Sequence, residues 1–173
     1  MPSNDLGVYS HFPILAAAVA GTTGPVLELG CGWGSTPMLE IMCRRQRRVL
    51  ESYETDEQWA GLLRVSHVPN WEAWTPRLHS VDGPAYSVAF IDCAPGEVRG
   101  RLAVRLRRAA RFILLHDALS DPPHGGGNYR YDEIVPEFRF VEYYRVVRPA
   151  TLILSDDEPF GLSEEEQRER IVL

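Results

Sequence analysis

The stretch Val26-Leu27-Glu28-Leu29-Gly30-Cys31-Gly32-Trp33-Gly34-Ser35-Thr36 carries three signals in succession. Its first four residues read as a short, mostly apolar strand. Three glycines follow at alternate positions, and from Ser35 to about Arg45 the pattern turns helical. Strand, glycine loop and helix make the unit from which parallel sheets are wound. Each glycine has a mechanical use there: a tight turn, close ligand approach, or close helix packing. A helix opening at Ser35 and Thr36 points backbone N–H groups and its dipole toward an anionic group, such as a carboxylate or phosphate. The spacing Gly30-x-Gly32-x-Gly34 departs from the GxGxxG pattern of dinucleotide-binding loops. Glu28, two residues before the first glycine, is an acid at the end of a buried strand. It wants a cationic partner or several donors, and a bound cationic amine would supply one.

Working outward toward the N-terminus, residues 10–20 read as a helix with Ser10 as N-cap, ended by the turn cluster Gly21-Thr22-Thr23-Gly24-Pro25. Toward the C-terminus, a second strand (Val49 to Glu54) and a helix (Asp56 to Val65) precede an irregular stretch from Pro69 to Pro76. A short third strand is expected at Leu78 to Val81, a buried strand at Ser87 to Ile91, a helix at Glu97 to Arg108 and a fifth strand at Phe112 to Leu115. Residues 118–130 form a long polar loop with Gly125-Gly126-Gly127 at its tip, and loops of that length in compact domains commonly carry function. Arg139 to Arg145 and Thr151 to Leu154 read as an antiparallel hairpin. Ser163-Glu164-Glu165-Glu166 reads as a capping box opening a short terminal helix. The alternation predicts an α/β fold: a doubly wound, mostly parallel, seven-stranded sheet with an antiparallel C-terminal hairpin. One domain covers residues 1–173, with 1–25 as an N-terminal helical cap and 156–173 as an acidic tail.

A net charge of −6 excludes a broad electrostatic grip on nucleic acid. Two arginine clusters, Arg44 to Arg48 and Arg99 to Arg111, run against that balance and read as solvated basic helix faces. All 18 basic residues are arginine, so Schiff-base lysines and P-loop lysines are excluded. Cys31, Cys43 and Cys93 form no metal-ligand pattern and are expected as free thiols. Phe12 to Ala20 is too short to span a bilayer and lacks a basic leader, so a cytoplasmic protein with no membrane partner is expected.

Glu54 lies 20 residues beyond Gly34, at the end of the second strand. An acid at that offset accepts hydrogen bonds from ribose hydroxyls in nucleoside-binding α/β folds. Asp92 and Asp117 end the fourth and fifth strands, at the sheet edge where open α/β folds bind ligands. Such carboxylates serve as general bases or hold metals, and His116 can take a proton near neutral pH or be a structural, hydrogen-bonded residue. Trp59, Trp71 and Trp74 read as packing residues, and Cys93 has no base spacing that would mark it as a nucleophile.

With Val26 to Gly34, Tyr53-Glu54-Thr55-Asp56, Phe90-Ile91-Asp92 and Leu115-His116-Asp117 in this order, the chain resembles class I S-adenosylmethionine-dependent methyltransferases. It looks closest to small bacterial members with an Ile-Asp and then a His-Asp strand end. The resemblance runs from about residue 8 to residue 155 and implies a Rossmann-like fold. It also implies S-adenosylmethionine as cofactor and S-adenosylhomocysteine as product. It puts Glu28 at the methionine amino end, Glu54 on the ribose and Asp82 near the adenine. His11, Gly30, Gly32, Trp33, Gly34, Ser35, Thr36 and Asp92 join the expected cofactor contacts, with Trp33 either walling the cofactor or capping the sheet. Asp92, His116 and Asp117 are the expected catalytic residues. Relatives that methylate catechols bind magnesium through an Asp after strand four and an Asp-Asn pair after strand five. Here Asp117 is followed by Ala118, so no metal is expected, although Asn128 could reach in from the loop. The acceptor would be a small molecule or a carrier-bound intermediate, and a homodimer is left open. Two other readings stand beside this one: a non-catalytic S-adenosylmethionine-binding sensor or partner subunit, and a nicotinamide-dependent oxidoreductase, against which the glycine spacing and hairpin argue.

Overall fold

The computed structural model describes residues 9–76, 85–118 and 129–168. A helix α1 (Phe12–Ala20) leads into β1 (Val26–Leu29), and the glycine loop into α2 (Ser35–Arg45). Then follow β2 (Leu50–Glu54), α3 (Glu57–Leu63) and β3 (Ser66–His67). Next come β4 (Tyr86–Ile91), α4 (Arg99–Leu106) preceded by a 3-10 turn at Gly96–Val98, and β5 (Ala110–Leu115). A short helix α5 (Tyr131–Ile134) precedes β6 (Phe140–Tyr144), β7 (Thr151–Ser155) and α6 (Glu164–Gln167).

The seven strands form one sheet in the order β3-β2-β1-β4-β5-β7-β6. Strands β1 to β5 pair in parallel; β7 runs antiparallel to β5 and to β6, with Phe140 opposite Ser155 and Tyr144 opposite Thr151. The central strands are buried on both faces, so their sequences are apolar throughout rather than alternating. Val88 and Phe90 of β4 pack with Ile14 and Leu15 of α1 and Leu39 of α2. Ala89 and Ile91, pointing the other way, pack with Leu102 and Leu106 of α4 and with Trp71 and Trp74. Both tryptophans are therefore packing residues, as expected. Among the described residues no helix is long and apolar enough to cross a membrane.

Most elements fall where the sequence puts them, and the C-terminal capping box is present with both of its hydrogen bonds. Three expectations are corrected, and a fourth falls outside the described residues. Ser10 does not cap α1: His11 occupies the N-cap position, and the Ser10 hydroxyl is spent on Pro149 and His116. Pro13 fits the first turn, where its missing N–H costs nothing. The strand beside β2 is Ser66–His67, two residues too short to show periodicity; Leu78 to Val81 lie outside the described residues. The helix expected from Glu97 begins as a 3-10 turn and becomes α-helical only at Arg99. The arginine clusters are not simply solvated. Arg48 donates to the carbonyls of Val19, Thr22 and Gly24, while Arg105 donates to those of Trp71 and Trp74. Arg99 is buried outright.

Candidate functional site

Gly30 turns the chain out of β1 with φ of +84°, a left-handed conformation that glycine adopts without penalty. A Cβ there would sit 2.4–2.6 Å from the backbone of Asp92 and Cys93, so the loop lies directly against the end of β4. At Gly34 a Cβ would meet the rings of Phe12 and Tyr9 at 2.5–2.9 Å, whereas at Gly32 the nearest atom is Ser35 Oγ at 3.7 Å. Trp33 is 62% exposed and meets Trp59 edge-on, with ring centroids 5.5 Å apart. Trp59 in turn donates to the Cys31 carbonyl at 2.8 Å.

Glu28 is enclosed completely. The Thr36 hydroxyl lies 3.0 and 3.1 Å from its two oxygens, and Ser52 donates to Oε2 at 2.7 Å. Burial pushes this carboxyl up to about 7, against the pull of the hydroxyl donors around it. Ser35 and Thr36 are both buried, and Thr36 also accepts the Gly32 N–H at 3.1 Å. The Thr36 hydroxyl therefore faces inward to Glu28. The Thr36 N–H is donated to the Gly32 carbonyl at 3.2 Å and Pro37 has none, which leaves the Ser35 N–H as the first-turn donor for an anion.

Glu54, at the end of β2, binds the loop back to the sheet. Its Oε2 accepts the Cys31 N–H at 3.0 Å. Its Oε1 accepts the N–H groups of Thr55 and Asp56 at 2.6 and 3.1 Å, and the Thr55 hydroxyl at 3.3 Å. A carboxylate oxygen takes about two donors, so Oε2 retains room for one more, such as a sugar hydroxyl. Asp56 is the N-cap of α3, accepting from Trp59 N at 2.8 Å.

The ends of β4 and β5 carry a charged cluster. Arg99, from the first turn of α4, reaches Asp92 Oδ1 at 2.9 Å and Asp117 Oδ2 at 3.2 Å, and donates to the Cys93 carbonyl at 2.7 Å. Its guanidinium lies 4.6 Å from the Tyr129 ring centroid. Burial opposes charge on Arg99, but Asp92 and then Tyr131 and Asp117 outweigh it and hold its pKa above the ordinary arginine value. For Asp92 burial also favours the neutral acid; His116 and Arg99 outweigh it and hold the carboxyl below the usual range. Asp117 has a φ of +58°, a left-handed conformation that an aspartate tolerates at a strand end. His116 Nδ1 lies 3.2 Å from Asp92 Oδ2 and 3.4 Å from Asp117 Oδ1, off the line of a hydrogen bond to either. His116 Nε2 lies 3.0 Å from Ser10 Oγ, and Tyr131 donates to the His116 carbonyl at 2.9 Å. His11 completes the group, its ring 4.5 Å from that of His116 and 4.7 Å from that of Phe90. Burial, then the neighbouring His116, pushes His11 down to about 3, against the pull of Asp92.

Two assemblies thus share one sheet edge. Gly30, Gly32, Gly34, Ser35, Thr36, Glu28 and Glu54 gather at β1 and β2; Asp92, His116, Asp117 and His11 gather at β4 and β5. Asp82, Asn128 and Gly125 to Gly127 lie outside the described residues, as does most of the 118–130 loop. Cys31, Cys43 and Cys93 are free thiols, and burial pushes Cys93 up to about 12, far from a reactive thiolate. Sequence reasoning missed Arg99, Ser10, Tyr129 and Tyr131. The signal for Arg99 was available: two acids at adjacent buried strand ends require a cation, and the helix between them begins with one. No protein-family model matches the chain, and no curated protein matches it.

Proposed function

We propose that the protein binds S-adenosylmethionine at the β1–β2 half of this edge and transfers its methyl group to an acceptor arriving from the β4–β5 half. The observation that carries the reading is the strand order β3-β2-β1-β4-β5-β7-β6 with β7 reversed. The dinucleotide-binding order is wholly parallel, with its sixth strand continuing the sheet in sequence. A reversed hairpin closing the sheet belongs instead to the Rossmann-like methyltransferase arrangement.

The residues present fit such a cofactor. Glu54 Oε2 keeps a lone pair for a ribose hydroxyl, and the α2 opening offers the Ser35 N–H and the helix dipole to a carboxylate. S-adenosylmethionine supplies an activated methyl group, so the chain's task is alignment and exclusion of water. Asp92 and Asp117 are both committed to Arg99. That favours an acceptor that needs no base from the protein, such as an amine or an already ionised group. The same commitment favours a second reading, in which the chain binds the cofactor without catalysis.

Calorimetry on the full chain tests the cofactor. S-adenosylmethionine and S-adenosylhomocysteine should bind at a single site at least about tenfold more tightly than NAD, and Glu54→Ala should weaken them by about ten- to a hundredfold. Tighter binding of NAD would overturn the reading. Binding without turnover across a broad acceptor screen would favour the non-catalytic form.

A further inference from the structure

We propose that His11, His116 and Asp92 form a binding site for one divalent transition-metal ion of the zinc class, held by a ring nitrogen of His11, Nδ1 of His116 and Oδ2 of Asp92. One donor atom from each of these three residues lies within 4.8 Å of the other two. A tetrahedral ion bound at about 2.0–2.2 Å holds its donors about 3.3–3.6 Å apart; His116 Nδ1 and Asp92 Oδ2 already stand 3.2 Å apart, so it is the His11 ring that has to close in.

Two independent observations point to a ligand. First, His11 is only 2% exposed, yet neither of its ring nitrogens has a hydrogen-bond partner among the described residues. Buried polar atoms are nearly always satisfied, and a neutral imidazole without partners is costly. Second, the hydrogen bonds of Ser10 fix the tautomer of His116. The Ser10 hydroxyl has one proton, which it donates to the Pro149 carbonyl at 2.7 Å, so toward His116 it can only accept. Nε2 must therefore carry a proton. Nδ1, which faces an oxygen of Asp92 and one of Asp117, then carries a proton in the charged ring and a lone pair in the neutral one. A metal ion would take the place of that proton, between the ring and the carboxylate, and would give the unpartnered His11 ring a partner as well.

The surroundings suit a metal. Ser10 orients His116 through the nitrogen that would not bind the ion, the usual arrangement behind metal-ligating histidines. Arg99 occupies Asp92 Oδ1 and leaves Oδ2 turned toward His116. The donors sit at the start of α1 and the ends of β4 and β5, on the rigid frame of the domain. Two imidazoles and one carboxylate suit zinc, iron(II) or cobalt rather than magnesium or calcium, which prefer oxygen-only sets. This set shares only Asp92 with the Asp, Asp-Asn pattern that the sequence fails to complete. Three protein ligands leave a coordination position for water or a substrate atom.

The test uses the full chain, stripped with a chelator, loaded with Zn²⁺, desalted and assayed for metal by mass spectrometry, with Co²⁺ as a spectroscopic substitute. The expected result is one zinc per chain and a visible Co²⁺ spectrum of a low-coordinate nitrogen and oxygen site. His11→Phe places a ring of similar size beside Phe90 and Phe12 and should fold, yet lose the zinc. Ser10→Ala should weaken zinc binding by about ten- to a hundredfold. The proposal is overturned if the wild-type chain keeps no zinc, or if His11→Phe keeps as much as wild type. Should His11→Phe not fold, unchanged zinc affinity in both Ser10→Ala and His116→Asn overturns it equally. None of these readouts involves S-adenosylmethionine, so their failure leaves the proposed function standing.

Discussion

The two halves of the carboxyl edge handle their acids in opposite ways. At β1 and β2, Glu28 and Glu54 are surrounded by neutral donors: the hydroxyls of Thr36 and Ser52, and the amides of Cys31, Thr55 and Asp56. At β4 and β5, Asp92 and Asp117 face a guanidinium and an imidazole. A hydroxyl serves a carboxylate or a carboxylic acid equally, by donating to one or accepting from the other, so Glu28 is free to ride up to about 7. His116 and then the Arg99 guanidinium, which offers only donors, favour the anion, so Asp92 stays ionised although burial opposes it. The hydroxyl pocket of Glu28 tolerates either charge state of its acid. Asp92 is committed to one.

Arg99→Met should break this contrast most severely. It strands two carboxylates at a site where the guanidinium itself was buried, and losing one partner of such a pair costs about 3–5 kcal/mol. Urea denaturation measures it; a loss below about 1 kcal/mol would mean that solvent screens Asp92 and Asp117 well enough to manage alone.

Glu28→Gln should change the pH dependence of stability. The folded protein holds the Glu28 proton up to about 7, while an unfolded glutamate releases it near 4.5. Between those values the native state binds more protons, so the contribution of Glu28 is fully present below about 4.5 and is lost as pH rises through about 7. The loss should be about 3 kcal/mol, and the glutamine variant should lack this part of the slope. An identical pH profile in wild type and variant would show that Glu28 titrates normally and that the two halves are alike.

Thr36→Val probes the same pocket more gently. Ser52 still serves Glu28, and only one hydroxyl and its bond from the Gly32 N–H are lost, so the cost should be about 1 kcal/mol. A cost as large as that of Arg99→Met would mean that the hydroxyl pocket is as tightly committed as the ion cluster.

How far each half could be read from sequence follows from the same difference. The partners of Glu28 and Glu54 lie within 24 residues of them, in the strand–loop–helix unit and the strand beside it. Local periodicity exposes such a unit, and α2 begins and ends where the pattern places it. The other half is assembled across the chain: Ser10 and His116 are 106 positions apart, and Ser10 meets Pro149 across 139. Spacing carries no trace of such contacts, so Ser10 looked like a helix cap and Arg99 like part of a solvated face. The two-residue β3 escaped notice because two exposed residues show no alternation, and its strand character comes only from pairing with Tyr53 and Glu54.

The glycine loop has a consequence for how freely its sequence can vary. Its three glycines answer to different neighbours, and only one is open to negotiation with a bound molecule. Any side chain at position 30 would strike the main chain of Asp92 and Cys93, which no second substitution can trim away. At position 34 the obstacle is a pair of aromatic rings, so a smaller residue at 12 or 9 could make room. Position 32 meets nothing closer than an ordinary van der Waals contact. In a saturation library selected for folding alone, position 30 should accept glycine only, position 34 should be rescued by changes at Phe12 or Tyr9, and position 32 should accept alanine. Selection for ligand binding should then tighten position 32 and leave position 30 as it was, separating the glycine that builds the sheet from the one that makes room for the guest.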